Sequence, residues 1–281
     1  MITIFTIPKP FKGHIKTIQR NAIKSWIALK PKCEVILFGN EDGVLEAANE
    51  FKVKCISKIE KNHLNTPLLS SAFKMAKAEA SNNILVYVNS DMIFFQDLLQ
   101  TIQSIKINKY FGCGRRVDLD INFEINLENK KWVQNILQDS RINGKLHGYS
   151  GIDYFIFKNH YIDLPKFTVG RLGWDNWVLY QVRSSKVPII DCTKSIYTIH
   201  QNHNYHHIKN KRKNNYNVEA KANYQLIGGK NKMLTIREAD LICINGVVKS
   251  PEFPNNIFLG LSRLYLWRKL LEFKRYFNVG E

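Results

Sequence analysis

Four short segments of the chain carry side chains that could do chemistry. A carboxylate can hold a divalent cation or accept a proton, a guanidinium can pair with a phosphate or an acidic sugar, and an imidazole can bind a metal. Three of the segments follow or adjoin strand ends in the predicted sheet, so their side chains could converge on one cleft. The segments are Asn89-Ser90-Asp91, Arg115-Arg116, Gly173-Trp174-Asp175-Asn176-Trp177 and the histidine-rich residues 200–207.

Asp91 stands at the end of a continuous apolar run. Residues 84–88, with the sequence Ile-Leu-Val-Tyr-Val, have the length and composition of a buried parallel strand. Ligands of open α/β sheets bind beyond the carboxyl ends of such strands, which puts Asp91 in a ligand-binding position. The alternative is a turn or helix-capping residue, which is the usual role of an Asp after a strand.

A regular alternation of strands and helices positions these segments. It predicts an α/β fold with a mostly parallel sheet flanked by helices and joined by right-handed crossovers. The second half is less regular and predicts a mixed extension of the same sheet. Strands are predicted at residues 2–7, 35–38, 53–56, 84–89, 110–113, 152–157 and 197–199, and helices at residues 14–29, 42–51, 67–80, 95–107, 132–137 and 174–182.

Composition limits the classes of partner. The net charge of +17, from 41 Lys and Arg against 24 Asp and Glu, indicates an anionic partner such as a phosphorylated substrate or an anionic membrane surface. Nucleic-acid binding is not expected, because no zinc finger or RNA-recognition signature is present. The five cysteines form an odd, scattered set without a C-x-x-C pair, which suits a reducing cytoplasm. The chain contains no uncharged apolar run of about 18 residues, so the sequence predicts no membrane span.

Residues 1 to about 208 resemble the GT-A fold glycosyltransferases of the nucleotide-diphospho-sugar transferase superfamily. The resemblance rests on the order of a strand-terminal Asp91, an acidic Gly- and Trp-containing segment at 173–177, and a downstream His200. It implies a Rossmann-like GT-A fold and a divalent ion, Mn²⁺ or Mg²⁺, bound by Asp91 and His200, with His203 as second choice. The chain departs from the family's Asp-x-Asp pattern because Asn89 replaces the first Asp. A zinc site is the alternative for the histidines, and surface loop positions are another.

The same resemblance assigns the acceptor side to residues 173–177. Asp175 would be the general base of an inverting transfer, Trp174 or Trp177 a stacking surface for a sugar, and Asn176 a neighbour in the acceptor site. Taken alone, Asp175 could cap a helix, and the two tryptophans, three residues apart, could face the core.

The nucleotide side carries weaker signals. The resemblance places the ends of the first two strands and the start of the third helix around the donor. Arg115 or Arg116 would contact an anionic group, although both could equally be surface residues. No glycine-rich phosphate loop is present, which argues against a dinucleotide oxidoreductase or a P-loop kinase. The donor-site residues expected are Thr6, Pro8, Asn40, Asp42, Leu68, Ser71, Asn89, Ser90, Arg115 and Arg116.

The sequence thus predicts a metal-dependent glycosyltransferase that transfers a sugar from a nucleotide-diphosphate-sugar donor to a saccharide or lipid-linked hydroxyl acceptor. The alternatives are a non-catalytic nucleotide- or phosphate-binding protein, and a basic membrane- or nucleic-acid-binding module. Residues 1–250 are predicted to form the glycosyltransferase domain. Residues 251–281 are predicted to form a basic, aromatic helical tail that docks on the inner membrane face or packs on the domain. Residues 209–217, Lys-Asn-Lys-Arg-Lys-Asn-Asn-Tyr-Asn, predict a mobile loop over the diphosphate.

Overall fold

A computed structural model describes residues 1–158, 162–203 and 210–251, with the side chains of residues 210–216 left out. The tail after Pro251 and the histidines at positions 206 and 207, both singled out in the sequence, lie outside the described residues. The domain boundary at residue 250 therefore stays a prediction.

The first half alternates strands and helices as predicted, with one addition. A short strand, Met92–Phe94, directly follows the Asn89-Ser90-Asp91 turn, and the helix predicted over residues 95–107 is shorter. The elements are β1 (Ile2–Thr6), α1 (Gly13–Ile27), β2 (Glu34–Phe38), α2 (Val44–Phe51), β3 (Lys54–Ile56), α3 (Leu69–Glu79), β4 (Ile84–Val88), β5 (Met92–Phe94) and α4 (Asp97–Ser104).

The second half holds more short strands than the sequence indicated. Its elements are β6 (Phe111–Cys113), β7 (Val117–Leu119), α5 (Trp132–Asn143), β8 (Lys145–Leu146), β9 (Tyr154–Lys158), α6 (Trp174–Ser184), β10 (Ile189–Lys194), β11 (Thr198–Gln201), α7 (Asn210–Ile227), β12 (Leu241–Ile244) and β13 (Val247–Lys249). Two short 3-10 helices, Lys230–Lys232 and Ile236–Glu238, precede β12.

The prediction of a mostly parallel α/β sheet is confirmed. Nine strands lie in the order β13-β12-β10-β6-β9-β4-β1-β2-β3. Strand β1 pairs in parallel with β2 and β4, β2 with β3, and β10 with β6 and β12, whereas β9 runs antiparallel to both β4 and β6, and β13 runs antiparallel to β12. The predicted extension of this sheet is correct only in part, because β5, β11, β7 and β8 form a separate four-stranded sheet.

Strand β4 is buried on both faces, which explains its unbroken apolar sequence. Leu85 and Tyr87 pack into one core cluster, and Val86 and Val88 pack into the cluster on the other side of the sheet. Alternate side chains of a strand point to opposite faces, so a central strand with both faces covered is apolar at every position. The chain must leave the sheet at Asn89, where its first polar residue appears.

The loop prediction for residues 209–217 was wrong over the part that can be described. Residues 210–217 form the first turns of α7. In the part of this helix whose side chains are described, from residue 217 on, Glu219 and Asn223 are 2% and 0% exposed. Asn223 donates to Thr168 O and accepts from Thr168 N, so polar contacts dock the helix.

Among the described residues, no helix combines the length and the apolar character needed to cross a membrane.

Candidate active site and metal centre

The turn that carries Asp91 is fixed by buried hydrogen bonds. Ser90 Oγ donates to Gln19 Oε1 at 2.8 Å. The backbone oxygen of Asp91 accepts from both the backbone amide and the side-chain amide of Gln201, at 3.2 and 3.0 Å. Since Gln201 ends β11, these bonds tie the Asp91 turn to the strand that carries His200.

Asp91, His200 and His203 come together in one cluster. One ligand atom from each lies within 4.8 Å of the others. Asp91 Oδ2 is 3.2 Å from His203 Nε2 and 3.8 Å from His200 Nε2. The structure therefore places all three predicted metal ligands side by side.

The donor set fits a divalent cation. Within the described part of the chain, Asp91 Oδ1 is buried without a hydrogen-bond partner, so this oxygen could coordinate a cation. Burial works to raise the pKa of Asp91, but the His203 contact and the charges of His200 and Lys9 hold it well below its usual range. A carboxylate oxygen with two imidazole nitrogens is a set that first-row divalent ions accept.

A second carboxylate stands behind His200. Asp118 on β7 lies opposite His200 in the parallel β7–β11 register. Its Oδ1 lies 3.1 Å from His200 Nδ1, which is within ion-pair distance, but the two atoms are not aligned for a hydrogen bond. Its Oδ2 lies 2.6 Å from His147 Nδ1. Burial raises the pKa of Asp118, but its contacts with His200, His147 and Arg116 outweigh that effect and lower it. His200 is thus held between two carboxylates, one on each ring nitrogen.

Arg116 organises the neighbouring polar side chains. Its Nε donates to Asp118 Oδ1 at 2.9 Å, and its Nη1 pairs with Asp153. Asp153 also accepts from Asn89 Nδ2 at 2.7 Å, and Asn89 Oδ1 accepts from Tyr87 at 3.1 Å. The guanidinium of Arg116 faces these carboxylates, so a phosphate contact by this residue stays a prediction.

Lys9 brings a positive charge to the same edge. Gln19 fixes its backbone, because Gln19 Oε1 accepts from Lys9 N at 2.6 Å and Gln19 Nε2 donates to Lys9 O at 2.8 Å. Lys9 Nζ lies 3.4 Å from His203 Nε2, on the exposed side of the cluster. A diphosphate that reached a metal at Asp91 would meet this ammonium.

Asp175 lies in the first turn of α6. Gly173, just before this helix, has φ +91, a conformation that favours glycine. A Cβ at this position would also lie 2.8 Å from Ile227 Cδ1, which is too close for any larger residue. Burial raises the pKa of Asp175 to about 6, with backbone amides of residues 175, 176 and 152 and the charge of Arg116 opposing the shift. A carboxylate with this pKa accepts a proton near neutral pH, as a general base must.

The tryptophans of the 173–177 segment lie in the core. Trp174 is 5% exposed and meets Tyr87 edge-on, with 5.3 Å between ring centroids. Trp177 is 8% exposed and packs on Phe167 at 5.2 Å. Their positions agree with the alternative that they face the core, and a sugar-stacking role stays a prediction.

Asn176 forms hydrogen bonds with Leu234, in the segment after α7. Its Nδ2 donates to Leu234 O at 2.8 Å, and its backbone oxygen accepts from Leu234 N at 3.0 Å. It thereby secures the segment before the 3-10 helix Ile236–Glu238.

Four expected donor-site residues are buried, two at or just after the end of β1 and two at the start of α3. Thr6, at the end of β1, has a buried Oγ1 without a hydrogen-bond partner among the residues that the structure describes, and Pro8, two residues later, is also buried. Leu68 precedes α3, and Ser71 Oγ accepts from Glu60 N at 3.1 Å. Thr6 is the one among these that offers an unused polar atom.

Two further donor-site candidates lie on the turn after β2. Asn40 Oδ1 accepts from Lys61 Nζ at 2.8 Å, and Asp42 pairs with Lys12 at 2.5 Å. Both are exposed, and no contact joins either to the Asp91 cluster among the described residues.

Sequence reasoning missed the polar residues behind the candidate metal ligands. Asp118 and His147 lie outside the predicted elements, Asp153 lies in the strand predicted over residues 152–157 without a motif to single it out, and Lys9 and Gln19 look like ordinary surface residues. The one available signal was the single polar residue in Val117-Asp118-Leu119, which marks a short half-buried strand.

No family model and no curated protein matches the chain. Solved structures with a similar fold include glucosyl-3-phosphoglycerate synthase from Mycobacterium tuberculosis with Mg²⁺ and UDP, 12% identical, covering 81% of this chain and 79% of that one, TM-score 0.45. The same enzyme with Mn²⁺, UDP and glucosyl-3-phosphoglycerate is 11% identical, covering 81% and 78%, TM-score 0.47. TarS from S. aureus is 11% identical, covering 72% and 36%, TM-score 0.46.

Proposed function

We propose that the chain is a metal-dependent glycosyltransferase that transfers a sugar from a nucleotide-diphosphate-sugar donor to a hydroxyl acceptor. The observation that carries the proposal is the Asp91-His200-His203 cluster at the carboxyl edge of a mostly parallel sheet. Asp175 accepts from the backbone amide of Ile152, next to the Asp153 that hydrogen-bonds to Asn89 at the end of β4, and burial raises its pKa. The two features supply the chemical needs of the reaction, a charge-neutralising cation site and a base.

Asp91, His200 and His203 would hold the cation. Because Mg²⁺ favours all-oxygen surroundings and two of the three ligands are imidazoles, the set suits Mn²⁺ better. A cation bound here neutralises the charge that develops on a diphosphate leaving group. Lys9 adds a second positive charge at the outer side of the cluster.

Asp175 is assigned the role of base in an inverting transfer. The acceptor hydroxyl oxygen bonds to the anomeric carbon, the bond from that carbon to the diphosphate oxygen breaks, and the diphosphate leaves with the electron pair. The hydroxyl proton passes to the Asp175 carboxylate. The pKa of about 6 keeps this carboxylate ionised at neutral pH while leaving it basic enough to accept the proton.

Donor turnover tests the proposal. UDP-, GDP-, CDP- and dTDP-sugars are incubated with the protein in Mn²⁺ or in EDTA, and the released nucleoside diphosphate is measured. We expect slow hydrolysis of one donor in Mn²⁺, abolished by EDTA and by His200→Ala. The control is His63→Ala, which removes an exposed histidine that is not part of the cluster. Hydrolysis of none of the donors, or hydrolysis that EDTA leaves unchanged, would contradict a metal-dependent transferase.

A further inference from the structure

Tyr149 holds two guanidinium groups on its ring. The Cζ of Arg115 is 4.2 Å from the ring centroid, and the Cζ of Arg237 is 4.4 Å from it. Tyr149 is 36% exposed, so this surface reaches solvent. Cation–π contact of this kind orients a guanidinium without using its hydrogen-bond donors.

Neither guanidinium has a carboxylate within ion-pair distance among the described residues. Arg115 Nε donates to the backbone oxygen of His147 at 2.7 Å. The charge of Arg115 acts to lower the pKa of Asp191, but the two side chains form no ion pair. Four other described arginines, Arg20, Arg116, Arg171 and Arg183, each face at least one carboxylate, whereas the exposed Arg141 stands alone without a second guanidinium beside it. Two like charges gathered on one ring without a counter-charge repel each other, and a bound anion would relieve that repulsion.

One short segment of the chain connects the Arg115–Arg237 pair to Asp175, the candidate base. The backbone oxygen of Tyr149 accepts from Ile236 N at 3.1 Å, which brings Arg237 to the ring. Three residues further on, the backbone amide of Ile152 hydrogen-bonds to the Asp175 carboxylate. Three residues span at most about 11 Å, so the backbone of Tyr149 lies within that distance of the backbone of Ile152, whose amide contacts Asp175.

The arginine pair makes no direct contact with the cation cluster. Among the described residues, no contact joins Arg115, Arg237 or Tyr149 to Asp91, His200 or His203, whereas Lys9 contacts His203 directly. His147 and Asp118 link Arg115 to His200 only indirectly. A diphosphate held at the cluster would therefore meet Lys9 first, and the two arginines adjoin the segment whose Ile152 amide hydrogen-bonds to Asp175, the carboxylate to which the acceptor must bring its hydroxyl.

We infer that Arg115 and Arg237, held on Tyr149, bind an oxyanion of the acceptor, a carboxylate or a phosphate on the molecule whose hydroxyl reacts. This inference rests on the proposed function and names its substrate class. Guanidinium groups form paired hydrogen bonds with both anions, and two of them on one rigid ring give a preorganised site. The acceptor is thus an acidic or phosphorylated sugar, rather than a neutral one.

Calorimetric titration of three sugars tests the inference. Glucuronate, glucose 6-phosphate and neutral glucose are titrated into the wild type, Arg237→Gln, Arg237→Lys and Arg141→Gln, with and without saturating UDP and Mn²⁺. Arg237 is exposed, so its replacement leaves the fold intact, and Arg141 is an exposed arginine on α5 that controls for the lost charge. Comparison of the two acidic sugars distinguishes a carboxylate from a phosphate ligand.

We expect at least one acidic sugar to bind the wild type and Arg141→Gln at least tenfold more tightly than glucose does. Arg237→Gln should lose that preference, Arg237→Lys should keep part of it, and UDP affinity should be unchanged in all four proteins. Equal binding of all three sugars would overturn the inference, and so would weakened UDP binding in Arg237→Gln, because the anion would then be the donor's. If none of UDP, GDP, CDP and dTDP binds the wild type with metal dependence, the proposed function fails, and the titrations without nucleotide still decide whether the oxyanion site exists.

Discussion

Asp118 lies directly opposite His200 across the β7–β11 pair, with 3.1 Å between Asp118 Oδ1 and His200 Nδ1. The other ring nitrogen of His200 faces Asp91. A carboxylate on the far nitrogen of a ligating histidine fixes the ring's orientation and makes the near nitrogen a better ligand. In the four-stranded sheet, β11 therefore carries His200, and the neighbouring strand β7 carries the carboxylate that orients its imidazole toward the cluster.

Asp118→Asn should weaken Mn²⁺ binding about 10- to 100-fold, the usual effect of losing such a partner. The asparagine keeps the size of the side chain but loses its negative charge. The measurement is direct titration of Mn²⁺ in the absence of nucleotide, with Asp139→Asn on α5 as the matched control. Unchanged Mn²⁺ affinity in Asp118→Asn would show that Asp118 serves only to pair with Arg116 and His147.

Asp175→Asn should reduce transfer about 10²- to 10⁴-fold while nucleotide binding stays normal, because it removes the base and leaves the cation cluster in place. In the wild type, burial raises the pKa of Asp175 to about 6, so transfer should fall about tenfold for each pH unit below that value and level off above it. Rate measurements between pH 4.5 and 8 check this expectation. Near-normal transfer by Asp175→Asn would remove the base assignment and favour a retaining mechanism.

Trp174→Ala should destabilise the fold by about 3–5 kcal/mol, because a large buried side chain leaves a cavity between Tyr87 and Phe155. Trp174→Phe keeps much of the packing and should lose far less. Urea unfolding of both variants measures the difference. A stable Trp174→Ala protein with selectively weakened sugar binding would instead support a stacking role for the indole.

Burial raises the pKa of Asp97 to about 6 from its usual 3.8, so this carboxyl binds its proton more tightly in the folded state. Its contribution to stability is complete below pH 3.8 and is lost as the pH rises through about 6. Asp97→Asn, which stays neutral, should exceed the wild type in free energy of unfolding by about 1–3 kcal/mol at pH 7 and match it near pH 4. Urea unfolding at both pH values tests this, with the exposed Glu46→Gln as control. A wild type as stable as the variant at pH 7 would refute it.

The sequence revealed the parts of the site that stand at the ends of strong strands. Residues 84–88 are apolar at every position because both faces of β4 are covered, and the first polar residues therefore mark the edge where Asp91 lies. His200 and His203 were found through their order after Asp91. The geometry places all three together, while their role as metal ligands stays a prediction.

The rest could not be found because its signals are non-local. Strand β7 is three residues long, and Asp118 acquires its meaning only from the pairing with β11. The polar start of α7 was mistaken for a loop because the helix docks through buried Glu219 and Asn223 rather than through an apolar stripe. Arg237 and Tyr149 are 88 positions apart in the chain, and only the folded backbone brings them together.

Metal-dependent nucleotide binding tests the central claim most directly. UDP, GDP, CDP and dTDP are titrated by calorimetry into the wild type, Asp91→Ala and the exposed-carboxylate control Glu46→Ala, each with Mn²⁺ and with EDTA. The account predicts that one nucleotide binds the wild type and the control only in Mn²⁺, and that Asp91→Ala loses this binding. Binding that persists in Asp91→Ala or in EDTA, or no binding of any nucleotide, would contradict a donor site built on Asp91, His200 and His203.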